Sequence, residues 1–442
     1  MAKSNSSFSG KTPSRRAFLK TSAVVGGALA GGLSVARGAH AAGSDILKVG
    51  LIGCGGRGTG AAVNALTADS NTKLIAMGDA FEDRLAGSLQ SIKGSEVGSR
   101  ADVPKDRQFV GFDAYKKVIA SGVDVVVLGE VPHFRPIHLR AAIEAGKHVF
   151  CEKPVAVDAP GVRSVLETAE LAKKKGLSIV SGLCWRYDNA VRATMERVLA
   201  GEIGDLVTLQ VTYNTGTIGG RDRDPKLTEM QYQLRNWYCF AWLSGDHNTE
   251  QHVHSLDKMG WAMRDEPPVR AWGLGGRQVR TGARYGDIYD HHAVVYEYAN
   301  GVRGYSYCRQ QPGCWNDTTD NFWGTRGHAN VLSDFTISRG GKQVWKYKGP
   351  RPNMYEVEHQ ALFAAVRAGT PINNGVYMAR STMLAILGRM VNYTGQAITW
   401  DEAINSQQKL SPKEYTWDAE PPTKPGPDGQ YPIATPGVTK FV

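Results

Sequence analysis

Residues 47–67 constrain the fold of this chain more than any other segment. Residues 47–52 (Leu-Lys-Val-Gly-Leu-Ile) have the apolar composition of a short buried strand, and residues 53–58 (Gly-Cys-Gly-Gly-Arg-Gly) follow as a glycine-rich turn. The alanine-rich stretch at residues 59–67 predicts a helix. A strand, a Gly-x-Gly-x-x-Gly turn and a helix in this order are typical of the start of a dinucleotide-binding βα unit.

Each glycine of the turn has a distinct predicted role. Gly53 permits the tight turn, Gly55 lets the backbone approach a pyrophosphate, and Gly58 lets the helix pack close to the strand. The N-terminus of the following helix presents free N–H groups to the phosphates. A glycine-rich turn without any ligand is the alternative interpretation.

A second strand is predicted at residues 73–77, and Asp79 lies at its carboxyl end. A carboxylate at this position can accept hydrogen bonds from the ribose hydroxyls and repels a 2′-phosphate. Asp79 therefore favours NAD over NADP as the cofactor, while the nearby Arg57 and Arg84 leave NADP open as the alternative.

Strands and helices alternate as far as residue 181. The predicted strands continue at 123–128, 147–151 and 177–181, and the predicted helices lie at 115–120, 138–145 and 162–175. The run of β-branched residues at 123–128 is typical of a strand buried on both faces. This alternation predicts a doubly wound parallel sheet, a Rossmann domain, over residues 43–185.

The pattern changes after Trp185. Longer alternating segments at 206–213, 293–298 and 304–308 predict an antiparallel sheet, and Asn300-Gly301 is a strong hairpin signal. Helices are predicted at 355–368 and 378–393, and an irregular tail beyond residue 411. The fold class expected is therefore α/β: a Rossmann NAD-binding domain followed by a mixed, largely antiparallel α/β domain at residues 186–442.

The first 42 residues have the composition of a targeting segment. Arg15 and Arg16 precede Phe-Leu-Lys, a Gly/Ala-rich apolar stretch follows, and Ala39-His40-Ala41 is a small-x-small cleavage site. This order predicts a twin-arginine signal peptide at residues 1–42, with a periplasmic or secreted protein exported already folded by the twin-arginine machinery. No later stretch has the ~20 apolar residues of a membrane helix, so no stable membrane anchor is expected.

The chain's net charge of +10 is concentrated in that segment, which carries basic residues and no acidic ones. The mild excess that remains contains no dense Lys/Arg run, so no nucleic-acid partner is expected. The six cysteines form no Cys-x-x-Cys pair and are expected to be buried thiols, with a Cys308–Cys314 disulfide as the alternative.

Glu152-Lys153-Pro154 follows the predicted strand at 147–151. The carboxyl ends of parallel strands face the ligand crevice, where Lys153 can bind a substrate hydroxyl. A surface-loop lysine is the equal alternative on position alone.

Residues 145–154 (Ala-Gly-Lys-His-Val-Phe-Cys-Glu-Lys-Pro), together with the glycine turn and Asp79, resemble the glucose–fructose oxidoreductase/inositol dehydrogenase (Gfo/Idh/MocA) family. The resemblance covers most of residues 47–405 and is looser in the second domain. It implies that Lys153 is catalytic and that Glu152 and Lys153 adjoin the cofactor, beside Gly53, Gly55, Arg57, Gly58 and Asp79.

The family's second motif is an Asp and a His four residues apart that serve the reacting hydroxyl. By resemblance, Glu250 and His254 occupy these positions, with Glu in place of the usual Asp. On one continuous helix, Glu250, His254 and Asp257 would share a face. His254 is then the predicted general base and Glu250 its orienting group.

Four further residues are predicted to contact the substrate: Arg186, Tyr187, Asp257 and His291. Arg186 and Tyr187 follow the last parallel strand and suit sugar recognition and interdomain packing equally. His291 begins a predicted strand of the second sheet. No metal is predicted, because His252 and His254 point about 200° apart on a helix and His-Glu-x-x-His is absent from the sequence.

The resemblance implies an NAD(P)-dependent oxidoreductase that transfers hydride to or from a sugar, cyclitol or sugar derivative, and a homo-oligomer. The signal segment implies that this enzyme is exported. The alternative is a redox-neutral NAD-dependent glycoside hydrolase that acts by oxidation and elimination. Folding before export predicts that NAD is bound tightly, since a released cofactor would find no replacement outside the cytoplasm.

Overall fold

The computed structural model describes residues 45–440, so the predicted signal peptide lies outside the described residues. Residues 45–440 form two β-sheets with helices packed against them. None of the helices within this range combines the length and apolar character needed to cross a membrane.

The first sheet is parallel and has six strands in the order β3-β2-β1-β4-β5-β6. Its strands are β1 (Leu47–Ile52), β2 (Thr72–Asp79), β3 (Gln108–Val110), β4 (Val125–Leu128), β5 (His148–Cys151) and β6 (Ile179–Ser181). The strand order reverses direction between β1 and β4, which is where doubly wound sheets open a ligand crevice. The Rossmann prediction is confirmed.

Helices cover this sheet, and one of them has a side-chain cap at its N-terminus. They are α1 (Gly56–Ala68), α2 (Glu82–Lys93), α3 (Ala114–Ala120), α4 (Arg135–Glu144) and α5 (Ala159–Lys175). Asp158 caps α5 by accepting a hydrogen bond from Gly161 N, and Gly176 ends the helix with a φ of 65°. α2 lies in a segment for which the sequence pattern predicted no element.

The second sheet has nine strands in the order β14-β13-β12-β11-β7-β10-β9-β8-β15. They are β7 (Leu206–Thr215), β8 (Arg270–Gly276), β9 (His291–Glu297), β10 (Arg303–Gln310), β11 (Asp317–Gly324), β12 (Gly327–Leu332), β13 (Thr336–Arg339), β14 (Lys342–Lys346) and β15 (Ile398–Thr399). Every pairing is antiparallel except β7 with β10, so the prediction of a mixed, largely antiparallel sheet is confirmed. Gly301, at a φ of 83°, turns the chain between β9 and β10.

The remaining helices connect the two sheets. They are α6 (Asn189–Leu199), α7 (Glu229–Arg235), α8 (Ala241–Ser244), α9 (His247–Glu250), α10 (Val253–Ala262), α11 (Met354–Ala368), α12 (Gly375–Thr394) and α13 (Trp400–Asn405). α10 and α12 cover one face of the second sheet. α11 returns to the first sheet, where Leu362, Phe363 and Val366 join the core around β1.

Within residues 45–440 all six cysteines are free thiols. Five are buried and Cys314 is exposed, so the expectation of six buried thiols is wrong at Cys314, and Cys308 and Cys314 do not pair. Cys308 lies in β10, beneath the sheet, with its Sγ 3.4 Å from Asn248 Oδ1.

Candidate active site

A cavity of about 610 Å³ lies at the carboxyl ends of the parallel strands. Its lining contains most of the residues predicted for the cofactor and the chemistry: Gly53, Gly55, Arg57, Asp79, Glu152, Lys153, Glu250 and His254. These residues come from four separate segments of sequence. The topology therefore brings the glycine turn and the predicted catalytic groups to one crevice, as expected at a switch point of a parallel sheet.

The glycine turn leaves no room for side chains on its protein side. A Cβ on Gly53 would lie 2.2 Å from Glu130 N, and one on Gly58 would lie 1.9 Å from Gly53 O. Gly53 also has a φ of +88°. A Cβ on Gly55 would meet nothing within 4 Å, so this backbone is open toward the cavity. Gly58 acts through helix–strand packing and does not line the cavity.

Asp79 is held between two backbone segments. Its Oδ2 accepts a hydrogen bond from Cys54 N at 2.7 Å, and its Oδ1 accepts one from Phe81 N at 2.8 Å. Burial raises the pKa of the Asp79 carboxyl, and these two N–H groups oppose that shift. Because each carboxylate oxygen has a second lone pair, Asp79 can fix the glycine turn and still accept from a ribose hydroxyl.

Lys153 meets Glu250 at the opposite end of the cavity. Lys153 Nζ donates to the Glu250 carbonyl oxygen at 2.6 Å and to Glu250 Oε1 at 3.0 Å. His254 lies beside this pair, and its buried Nδ1 has no hydrogen-bond partner within residues 45–440. Burial and the Lys153 ammonium hold the pKa of His254 well below 6.5, so the imidazole is neutral and able to accept a proton.

The predicted continuous helix from residue 250 to residue 257 is not formed. α9 ends at Glu250 and α10 begins at Val253, and His252 N bonds to His247 O, one residue further back than in an α-helix. Glu250 therefore lies outside the helix that carries His254 and Asp257, and the Asp257 carboxylate bonds with Arg186 and Ser381. His252 turns toward the second sheet, where its Nε2 lies 2.8 Å from Ser306 Oγ.

The structure does not bring Arg186, Tyr187, Asp257 or His291 to the cavity lining. Arg186 Nε lies 3.0 Å from both carboxylate oxygens of Asp257, and its NH2 lies 2.6 Å from Asp265 Oδ1. The Arg186 guanidinium also stacks 3.9 Å from the Tyr377 ring centroid. Burial of an arginine requires this pairing, so Arg186 and Asp257 satisfy each other in the packing between elements.

Tyr187 and His291 are also placed elsewhere. Tyr187 Oη donates to Asn374 Oδ1 at 2.8 Å. His291 pairs with Arg309 across β9 and β10, and both side chains lie on the face of the second sheet opposite its helices. Interdomain packing, the alternative for Arg186 and Tyr187, is the arrangement that the structure contains.

One group within residues 45–440 has the spacing of metal ligands: Asp246, His247 and His292, all buried. Asp246 Oδ1 lies 2.8 Å from His247 Nδ1, while Oδ2 accepts from Tyr289 N at 2.9 Å and from Tyr393 Oη at 2.5 Å. Hydrogen bonds thus account for both carboxylate oxygens. We assign no metal to this cluster.

Two functional groups escaped the sequence-based prediction. Glu358, from α11, lies 3.3 Å from Arg57 NH2, and the same guanidinium contacts the Glu152 carboxylate through Nε. Arg57 also stacks 4.6 Å from the ring centroid of Tyr355, another residue of the cavity lining. Neither α11 residue carries a local motif, and only the fold connects them to the glycine turn.

The second domain covers the cavity from the outside. Gly219, Arg221, Arg235 and Trp237 belong to the lining. Behind the cavity wall, the tail residue Trp417 contacts Phe81 and Phe112, with ring centroids 5.1 Å and 4.6 Å apart. The crevice is therefore formed by both sheets' domains and supported by the end of the chain.

The fold and the crevice together define a dinucleotide-binding Rossmann domain joined to a mixed-sheet domain. Residues 47–182 match the model of the Gfo/Idh/MocA family, described as an oxidoreductase family with NAD-binding Rossmann fold. This part of the chain is therefore similar to the NAD-binding domain of that oxidoreductase family.

Curated relatives are similar to part of the chain. The chain is 30% identical over 257 residues to inositol 2-dehydrogenase 3 of Saccharopolyspora erythraea, which covers 58% of this chain and 64% of the relative. It is 28% identical over 207 residues to inositol 2-dehydrogenase of Serratia proteamaculans, covering 44% and 55%. The match thus spans less than two thirds of the length of each relative.

Solved structures share the fold over a larger range. Aldose-aldose oxidoreductase from Caulobacter crescentus superposes with a TM-score of 0.62 at 18% identity, covering 80% of this chain and 99% of that chain. GenD2 from gentamicin A biosynthesis, in complex with NAD, superposes with a TM-score of 0.59 at 19% identity, covering 80% and 96%. At these identities the likeness establishes the fold, including the second domain.

Proposed function

We propose that this protein is an NAD-dependent oxidoreductase that transfers hydride to or from a hydroxyl-bearing carbon of a sugar, cyclitol or sugar derivative. The observation that carries the proposal is the cavity itself. Its one end holds the glycine turn and Asp79, and its other end holds Lys153, Glu250 and His254. A pyrophosphate-binding turn and an acid–base group in one crevice suit a reaction between a dinucleotide and an alcohol.

The residues present suit NAD. The start of α1 lines the cavity, where its N–H groups suit a pyrophosphate, and Asp79 suits unphosphorylated ribose hydroxyls. Arg84, which also lines the cavity, is the residue that would favour NADP. NAD when bound supplies the hydride acceptor, and the chain supplies the proton chemistry.

We infer that three residues carry the proton chemistry. The neutral imidazole of His254 accepts the hydroxyl proton as the substrate C–H bond breaks. Lys153 donates a hydrogen bond to the same hydroxyl oxygen and stabilises the negative charge that develops there. Glu250 holds the Lys153 ammonium through its backbone and side-chain oxygens. The longer Glu side chain, in place of the family's Asp, reaches Lys153 and not His254.

A panel of sugars, cyclitols and glycosides tests the reaction, with absorbance of reduced nicotinamide and glycoside cleavage followed together. Net NADH formation is the expected result, and Lys153→Met should abolish it while the exposed-lysine control Lys174→Met should not. Glycoside cleavage without net NADH would support the redox-neutral alternative. A protein that binds NAD but turns over none of these compounds would contradict the proposal.

We further propose export in the folded state with NAD already bound tightly. The proposal rests on Arg15-Arg16, the apolar stretch and the cleavage site in the sequence, together with a cavity that is lined by residues of both domains. Mature protein purified from the periplasm without added nucleotide should contain NAD by mass spectrometry. Protein found only in the cytoplasm would contradict export, and nucleotide-free protein would contradict tight binding.

The open face of the second sheet supports a homo-oligomer. On this face Leu274 is 70% exposed, Tyr307 is 39% exposed and Trp323 is 36% exposed. Exposed apolar residues grouped on one sheet face are typical of an interface. Leu274→Glu combined with Tyr307→Glu should reduce the molecular mass measured by light scattering, whereas Ile433→Glu, on the tail, should not. A wild-type monomer would contradict the proposal.

A further inference from the structure

Two buried carboxyl groups meet at one guanidinium beside the catalytic end of the cavity. Glu152 is 2% exposed and Glu358 is 0% exposed, and Arg57 contacts both. Glu358 Oε2 has no hydrogen-bond partner within residues 45–440. A carboxylate oxygen that is buried without a partner is costly, so this pair requires a physical explanation.

The pair lies where the nicotinamide half of the cofactor belongs, which rests on the proposed function. Asp79 follows β2 and marks the adenosine side of the crevice. Glu152 follows β5, on the other side of the reversal between β1 and β4. A dinucleotide bound across the switch point therefore places its pyrophosphate at the glycine turn and its nicotinamide near Glu152 and Lys153.

The charges at this end do not balance when all acidic groups are ionised. Arg57 and Lys153 are positive, whereas Glu152, Glu250 and Glu358 are negative. Burial keeps His254 neutral by lowering its pKa. The group then carries one surplus negative charge in an enclosed site, where an uncompensated charge is expensive. The oxidised nicotinamide ring carries one positive charge, and the reduced ring carries none.

We propose that Glu152 and Glu358 form the counter-charge of the oxidised nicotinamide and share one proton, which leaves when NAD⁺ binds and returns when the bound ring is reduced. Glu358 acts through Arg57 and Glu152 and is therefore a positioning residue. In the reaction, hydride moves from the substrate carbon to the ring and the hydroxyl proton moves to His254. From there one proton passes into the carboxyl pair, so that it stays in the protein and no other redox partner is needed.

The electrostatics of Glu358 agree with this geometry. Burial and the neighbouring Glu152 raise the pKa of the Glu358 carboxyl well above 4.5, and Arg57 opposes the shift. The other titratable groups that face it are Cys184, Tyr187, Tyr355, His359 and Tyr377. The raised pKa of Glu358 favours its protonated form, and a positive ring beside the carboxyl pair would favour release of that proton.

Replacement of bound NADH by NAD⁺ tests the proposal without turnover. The loss of NADH fluorescence between pH 6 and 9 gives the ratio of the affinities for NAD⁺ and NADH. Calorimetry in two buffers of different ionisation enthalpy gives the number of protons released when NAD⁺ replaces NADH. In the wild type, up to one proton should be released for each NADH that NAD⁺ replaces. The affinity for NAD⁺ relative to NADH should therefore rise by up to about tenfold for each unit of increase in pH while the pair titrates.

Glu358→Gln cannot ionise, so its proton count should fall to nearly zero and its affinity ratio should not vary with pH. At pH 8 it should bind NAD⁺ about tenfold less tightly relative to NADH than the wild type does. Glu356→Gln is the matched control, since Glu356 lies on the same helix and its side chain bonds with Asn353 in the partly exposed first turn. It should behave as the wild type.

An equal proton count in the wild type and Glu358→Gln would overturn the proposal, as would a wild-type count of zero. If circular dichroism shows that Glu358→Gln is unfolded, the wild-type count and its pH dependence decide alone. A protein that binds neither nucleotide rejects the proposed function as well. A protein that binds both nucleotides with a constant ratio rejects only the carboxyl pair.

Discussion

At the scale of single residues, the Asp79 carboxylate has two predicted functions, one in the glycine turn and one in cofactor binding. It holds Cys54 N in the glycine turn, and it faces the ribose position. Asp79→Ala should weaken NAD binding by about ten- to a hundredfold, because hydrogen bonds to a charged group contribute ~1.5–3 kcal/mol. It should also reduce discrimination against NADP. Isothermal titration with both nucleotides measures this, with the exposed Asp106→Ala as control. Wild-type preference for NADP would refute the role of Asp79.

On the proposed function, Lys153 and His254 act in the chemical step. Lys153→Ala and His254→Ala should each lower kcat by ~10²–10⁴, the contribution typical of a positioned acid–base group, and should change NAD affinity far less. Stopped-flow measurement of NADH formation and a separate binding titration distinguish the two effects. Near-normal kcat in both variants would contradict the assignment.

The pH profile follows from the burial of His254. Since the pKa of His254 is held well below 6.5, the imidazole remains neutral and competent as a base as the pH falls through 6.5. We expect the acidic limb of kcat/KM to lie below pH 6.5, at a pH lower than an exposed histidine would give. An acidic limb with its midpoint at pH 7 or above would show that a group other than His254 titrates.

At the scale of elements, the sequence predicted those strands, turns and helices that interactions between neighbouring residues determine. The β1 bounds, the β9–β10 hairpin and α11 follow from apolar periodicity, Asn300-Gly301 and capping. The sequence did not predict the break between α9 and α10. There His252 N bonds to His247 O in a widened turn, and the His252 side chain bonds to Ser306, which is distant in the sequence.

The site could be predicted where motifs mark it, and it could not where distant segments meet. The glycine turn, Asp79 and Lys153 carry such motifs. Arg186 was predicted for the substrate because its sequence neighbours reveal nothing of Asp257 and Asp265, which neutralise it. Glu358 lies 301 residues from Arg57 in the chain, and no sequence pattern links the two.

The tail element around Trp417 supports the cofactor cavity from behind. Trp417→Ala removes ring contacts to Phe81 and Phe112, each worth ~0.5–1.5 kcal/mol. NAD binding should weaken by about tenfold because both phenylalanines line the cavity. Trp315, which is 75% exposed, supplies the control Trp315→Ala. Equal NAD affinity in the two variants would show that the tail does not support the site.

At the scale of the whole molecule, buried histidines predict acid lability. Burial lowers the pKa of His133 to about 3, of His247 to about 4 and of His359 to about 3. Below pH 6.5 these histidines therefore bind protons in the unfolded chain but not in the folded chain. The free energy of unfolding consequently falls as the pH decreases toward 4. Each histidine should cost ~2 kcal/mol at pH 5 relative to neutral pH.

Thermal unfolding between pH 7.5 and 5 measures this loss, and His359→Gln should lose less over the same interval. The interval from pH 7.5 to 9 is the control, since these histidines are neutral there in both states. An unfolding temperature that does not change between pH 7.5 and 5 would contradict the prediction.

The packing of α11 and the tail has a consequence for biosynthesis. Leu362 and Phe363 complete the core under β1, and Trp417 stands behind the crevice. A ribosome that has made the whole parallel sheet has therefore not yet made the residues that close it. A chain truncated before residue 360 would lack both supports, and we expect its crevice to hold nucleotide less well than that of the longer chain.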